Sequence, residues 1–200
     1  MSILDNLIKK AAVLLKNNAS AAVNNVKNTL ANSAKTVSFD ALPRCAEELE
    51  KLPEARLTDP FDTAALTVAA LCEYPNDKNA AIEMLNFLKG PRPLTPLELS
   101  FLNDRFMDGV DYVPRSYFAG SSPENDYTPS LPYTIRIEEH AHSRENFKDG
   151  YLRLFITSSG ADSQRFIDLR CKPSTGQWFL WEFGGVLLGI RTPKSKDPWA

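Results

Sequence analysis

The segment Tyr133-Thr134-Ile135-Arg136-Ile137-Glu138 alternates apolar and polar side chains at every step. Successive side chains of a strand point to opposite faces, so this alternation predicts a strand with one buried and one wetter face. The same period returns downstream. Leu152, Leu154 and Ile156 alternate with Arg153, Phe155 and Thr157, and Ile167, Leu169 and Cys171 alternate with Asp168, Arg170 and Lys172. One-sided burial of this kind belongs to antiparallel sheets. Lys172-Pro173-Ser174-Thr175-Gly176 reads as a hairpin turn with glycine near its end. The strand after it, Gln177-Trp178-Phe179-Leu180-Trp181-Glu182-Phe183, is aromatic on both faces. Both faces are therefore expected to be covered, one of them by helices.

Upstream of Tyr133 the period changes. Residues 40–109 read as a helical block. Leu42, Cys45, Leu49 and Leu52 share one face of a short helix. Asp59-Pro60 gives an N-cap with proline at the first helical position. The run Phe61–Cys72 behind it is nearly all apolar, which marks a helix buried on all sides. A second helix stops at Gly90, a good C-terminal cap. Thr95-Pro96-Leu97-Glu98 is a capping box that opens a third, running to about Met107. Helices first and strands last give an α+β class, with a C-terminal antiparallel sheet of about four to five strands packed against the helices.

Between the two halves lies a connector, residues 110–132. With Tyr133 it holds four prolines, one glycine and the aromatics Tyr112, Tyr117, Phe118, Tyr127 and Tyr133. Disordered linkers are poor in aromatics, and long structureless segments are uncommon inside compact domains. The connector is expected to be an ordered clasp with Tyr117 and Phe118 buried first. Residues 1–34 form an appendage. Leu4, Ile8, Ala11, Leu15, Ala19, Ala22, Val26 and Leu30 recur at helical spacing, and the opposite face is Asn, Lys and Ser. The expected organisation is thus an amphipathic N-terminal helix over 1–34 and a single α+β domain over 35–200.

Charge narrows the classes of partner. The net charge of −2 creates no global field for nucleic acid, so no nucleic-acid partner is expected. Residues 1–35 nevertheless carry five lysines against Asp5, which leaves the remainder at −6. Three widely spaced cysteines, Cys45, Cys72 and Cys171, argue against a disulfide framework and against a structural zinc site. The apolar run after Lys10 is too short for a signal peptide. No stretch approaches the roughly 18 apolar residues of a membrane span. A cytoplasmic setting is the expectation.

Few residues offer chemistry. Glu138, His140 and His142 would share a strand face and could present two nitrogens and a carboxylate to a metal; solvated polar side chains are the alternative at a strand end, and no metal or cofactor is assigned. Ser158-Ser159-Gly160-Ala161-Asp162-Ser163 contains serines near an acid, but it lacks the G-x-S-x-G elbow and any phosphate-loop spacing, so it reads as a tight turn. No catalytic residue is assigned. Trp178, Trp181 and Phe183, with Arg165, Arg170, Lys172 and Arg191 nearby, could stack on a ligand if one face were open; core packing is the competing reading. Trp199 is either tucked into a groove or offered to a partner.

The runs LKGPRPLTPLE, DYVPRSYFAGSSPENDYTPSLPYTI, SSGAD and KPSTGQWFLWEF, followed by IRTPKSKDPWA, resemble a family of bacterial proteins common in Clostridia and relatives, the domain of unknown function DUF6935. The resemblance covers about residues 38–200 and not the N-terminal helix. It implies a bacterial, cytosolic protein and carries no catalytic residue over. From the residues themselves, the expected role is a non-enzymatic protein-interaction or scaffold module. Leu4, Ile8, Leu15 and Val26 would form the partner or self-association helix, and Tyr117, Tyr127, Trp181 and Trp199 the ligand or partner surface. A small-ligand or hydrolytic domain with an NTF2-like pocket between helices and sheet, near Tyr117, Tyr127, Trp181 and His140, is the first alternative. Peripheral membrane attachment through Lys9, Lys10 and Lys16 is the second.

Overall fold

A computed structural model of the chain describes residues 33–199. Leu4, Ile8, Leu15 and Val26, with the expected N-terminal helix, lie outside the described residues. Those residues form four α-helices, several 3-10 turns and one curled, five-stranded antiparallel sheet. The helices are α1 (Ala46–Glu50), α2 (Pro60–Glu73), α3 (Lys78–Lys89) and α4 (Pro96–Arg105). The strands are β1 (Ala34–Phe39), β2 (Tyr133–Glu138), β3 (Tyr151–Ile156), β4 (Arg165–Lys172) and β5 (Gln177–Glu182), paired in chain order.

α2 is the axis of the fold. The Asp59 side chain accepts a hydrogen bond from Phe61 N at 2.9 Å, and Pro60 opens the helix. Every residue from Thr63 to Leu71 is buried. The helix touches all five strands. Ala64, Ala65, Ala69 and Ala70 make that possible, because small side chains let the sheet curl closely around it. α3 is N-capped by Asp77, which accepts from Asn79 N and Ala80 N, and ends at Gly90 with φ 57°. α4 carries the full capping box, Thr95 accepting from Glu98 N while Glu98 accepts from Thr95 N at 2.8 Å.

β1 corrects the expected element order: one strand precedes the helices, and Ala34 belongs to it rather than to the appendage. The strand is short, and Lys35 hides its alternation by standing on the same face as Val37 and Phe39. That lysine reaches Asp59 at 2.8 Å and Asp62 at 2.6 Å, at the start of α2. β1 then pairs with β2 along its whole length.

β2 and β3, by contrast, are joined only at Ile137–Ile156 and Glu138–Phe155. The 110–132 connector fills the gap where they part. Phe118 bridges to Ile135, and Ala119 N donates to Thr134 O at 2.8 Å. Ser159 N, beyond β3, donates to Ser116 O at 2.9 Å. The connector is thus a clasp, but within the sheet more than between sheet and helices. Its aromatics are interior: Tyr112, Tyr117, Phe118 and Tyr127 are all buried. Tyr117 Oη donates to Val186 O at 2.8 Å and Tyr127 Oη to Arg191 O at 2.7 Å.

Candidate functional site

The most distinctive surface is built on β5. The β4–β5 register pairs Leu169 with Leu180 and Asp168 with Glu182, which leaves Trp181 without an opposite residue. This is a β-bulge, and bulges re-aim side chains. The freed indole lies under two guanidinium groups. Arg92 stands 4.2 Å and Arg170 4.9 Å from its ring centre. Tyr151 meets it edge-on at 5.4 Å, and Arg170 also covers Tyr151 at 5.0 Å. Arg92 arrives on Gly90-Pro91-Arg92-Pro93, where the positive φ of Gly90 turns the chain off α3 toward β5. Gly90 packs on Phe179 so closely that a Cβ there would enter the ring.

Beside this stack runs a groove of about 260 Å³, walled by Pro91, Pro173, Phe179 and Leu180 and edged by Arg92, Arg170 and Lys172. Among the described residues no carboxylate lines it. Lys89 closes its base. That lysine is buried and donates to Glu98 Oε1 at 2.6 Å and to Trp181 O at 3.1 Å. Burial alone would raise the Glu98 carboxyl, but the bonds from Lys89 and Thr95 outweigh it and hold its pKa below the ordinary value. On the other side of Trp181 a larger hollow of about 460 Å³ has the opposite character, lined by Glu145, Asp149, Asp168 and Glu182. There Arg153 is spent on Asp168, with bonds of 2.6 and 2.7 Å.

The two outer strands of the sheet differ. On β5, Trp178 N donates to Leu57 O at 2.7 Å and Trp178 O accepts from Thr63 Oγ1 at 2.9 Å. On β1, Glu139 N donates to Ser33 O at 2.8 Å. That sets the ladder parity, in which bonded and outward-turned residues alternate. Lys35, Val37 and Phe39 face β2, while Ala34, Thr36 and Ser38 turn their backbone groups to the open edge. All three are exposed, and none of their backbone groups bonds to another described residue beyond β2.

The residues singled out in the sequence are dispersed. Tyr117 and Tyr127 are interior and cannot form a ligand surface, a correction to the expected one; burial pushes the Tyr117 phenol up. Glu138 bonds to Arg136 and Gln164, the His140 ring packs on Phe155 at 4.5 Å, and His142 is exposed beside Glu145. β2 ends at Glu138, so the i, i+2 geometry that would align these three does not continue. Among the described residues no group of three or more His, Cys, Asp or Glu is placed to hold a metal. Ser158 is buried against Ser116, Oγ to Oγ 2.7 Å, and Ser159 bonds back to Ser116 O; both stitch the clasp to the β3–β4 turn. Burial raises the Cys72 thiol to about 12, which keeps it protonated. Phe183 is core, and Trp178 is half-buried beside Phe147. Trp199 is 93% exposed. The middle of the helix–sheet interface is filled, with Ala65, Val68, Leu154, Leu169 and Leu180 in one continuous cluster, and the hollows between helices and sheet lie at its margins. Arg92 and Tyr151 escaped the sequence reading. Both belong to the Trp181 site through a bulge that no period announces. Two prolines flanking Arg92 were the only local sign of a fixed position.

The chain belongs to the family described as Domain of unknown function (DUF6935), whose model matches residues 41–194. No curated protein and no solved structure matches it.

Proposed function

We propose that this DUF6935 member is a non-enzymatic protein-interaction module that pairs with a second copy of itself through the edge of β1. One observation carries the reading: β1 is a fully formed, six-residue edge strand that no other described residue covers. Natural sheets blunt such edges with proline, with charge on the edge or turned inward, with bulges or with a covering element. Ala34-Lys35-Thr36-Val37-Ser38-Phe39 has no proline and no bulge, and its one charge, the inward-turned Lys35, is neutralised by Asp59 and Asp62, so the outward row of backbone groups carries no charged side chain.

The edge is self-complementary. A two-fold axis at Thr36 sets Thr36 against its own copy and Ala34 against Ser38, an isologous contact. Threonine pairs are favourable across antiparallel strands. Lys35 falls opposite Val37, so no like charges meet. About six interchain hydrogen bonds would form, two for each of three bonded pairs. The edge alone is small beside a standard interface of roughly 1,600 Å². The apolar residues Leu4 to Leu30 precede this strand in the sequence, and a helix formed by them would enlarge the contact.

Light scattering on the full chain tests this. The expected mass is that of a dimer. Thr36→Pro removes an outward N–H, and Thr36→Arg places two cations face to face across the axis; both are expected to give monomers with unchanged circular dichroism. A monomeric full chain at high micromolar concentration overturns the reading. So does a dimer that survives both substitutions but dissociates on deleting residues 1–32, since the contact would then belong to that segment.

A further inference from the structure

We infer that the groove beside Trp181 is a binding site for a small organic phosphate of nucleoside-monophosphate size. This goes beyond the self-association of β1 and does not depend on it. The first ground is unspent charge. Arg115, Arg136, Arg144, Arg153 and Arg191 each hold a carboxylate. Arg92, Arg170 and Lys172 edge one groove, and among the described residues none of them has an ion pair or a side-chain hydrogen bond. A guanidinium that makes no hydrogen bond keeps all of its N–H donors for a ligand, and its fork matches a phosphate bidentately.

The second ground is that the two forks are already positioned. Contact with Trp181 and Tyr151 holds both guanidinium groups at the groove while leaving their N–H donors unbonded. Less side-chain freedom is then lost on binding. Lys89, the remaining cation, is bonded to Glu98 and Trp181 O, so it supports the groove without competing for the ligand.

The walls and the neighbourhood decide the rest of the ligand. Pro91, Pro173, Phe179 and Leu180 offer apolar contact beside the cations, which suits an organic group attached to the phosphate. About 260 Å³ falls just under the roughly 300 Å³ at which drug-sized pockets begin. A long polyanion is disfavoured. Running past Trp181, it would meet Glu145, Asp149, Asp168 and Glu182 in the adjoining hollow.

Calorimetry on the full chain at low salt, with adenosine 5′-monophosphate, inorganic phosphate and adenosine as probes, tests the assignment. The monophosphate is expected to bind, phosphate alone more weakly, and adenosine not measurably. Arg92→Ala and Arg170→Ala should each weaken the monophosphate about tenfold, the loss of roughly one charge-assisted pair. Arg191→Ala, which removes a cation already paired with Asp162, should not change it. Binding of neither phosphate nor monophosphate overturns the site. Equal loss from Arg191→Ala reduces it to general charge attraction and also overturns it. Equal affinity for phosphate and monophosphate overturns the organic part of the assignment. The oligomeric state is read separately, so failure here leaves the β1 proposal intact, and the converse.

Discussion

β5 and β1 end the same sheet, yet among the described residues only β5 has its outer edge bonded by the helical block. Its outward groups at Trp178 are taken by Leu57 and Thr63, and Trp181 O is taken by Lys89. β1 is tied to the helices by Lys35 and has three residues whose backbone faces outward. The helical block therefore does more than cover the sheet. It supplies the bonds that finish one edge and leaves the other as a template. The contrast extends to charge, since Arg92 and Arg170, without ion pairs among the described residues, stand over Trp181 of β5, whereas the one cation of β1, Lys35, is paired.

Substitutions at the two edges should differ in size accordingly. Lys89→Ala should cost most, about 3 kcal/mol in urea denaturation, because it strands Glu98 without its partner in a largely buried place and frees Trp181 O. A loss below about 1 kcal/mol would mean that water replaces the lysine easily and that this end of β5 is not closed. The same pair predicts a pH dependence. The Glu98 carboxyl is held below its ordinary value of 4.5, so its contribution is complete above that pH and is lost as pH falls through the lowered value. Glu98→Gln should flatten that part of the acid limb; an unchanged limb assigns it to other carboxylates. Gly90→Ala comes next, at about 2 kcal/mol, since a side chain there meets the Phe179 ring at a φ of 57°. Thr63→Val should cost about 1 kcal/mol through one lost bond to Trp178 O. Thr36→Val, at the open edge, should stay within about 0.5 kcal/mol. If Thr36→Val matched Thr63→Val in the dissociated protein, the two edges would not differ as described.

Much of this was readable beforehand for reasons that are local. Asp59-Pro60, Thr95–Glu98 and Gly90 are chemical punctuation, and all three cap the helices they were expected to cap. The alternation at 133–138, 152–157 and 167–172 depends on one buried face, and strands form there, over Tyr133–Glu138, Tyr151–Ile156 and Arg165–Lys172. β1 was missed because a strand of six residues with a lysine on its inner face has too little period to detect. The Trp181 site was half seen. Trp181, Arg170 and Lys172 lie close in sequence and were noticed together, but Arg92 comes from another element, and only the bulge brings the indole to it. Tyr117 and Tyr127 were expected to be buried and also offered as ligand contacts. Composition cannot choose between these, because the choice rests on the distant acceptors Val186 O and Arg191 O.

The β1–β2 pairing has a consequence in time. It joins residues 34–39 to residues 133–138, so the helices and the clasp all lie inside the loop it closes. β3, β4 and β5 are a meander of near neighbours. Closing a long loop is entropically slower than closing a hairpin. The meander and the helices that seat it should therefore acquire amide protection first, and β1 should join last. Pulse-labelled hydrogen exchange during refolding would show this as late protection of Lys35 and Val37 relative to Leu154 and Leu169; simultaneous protection would mean that the sheet assembles in one step.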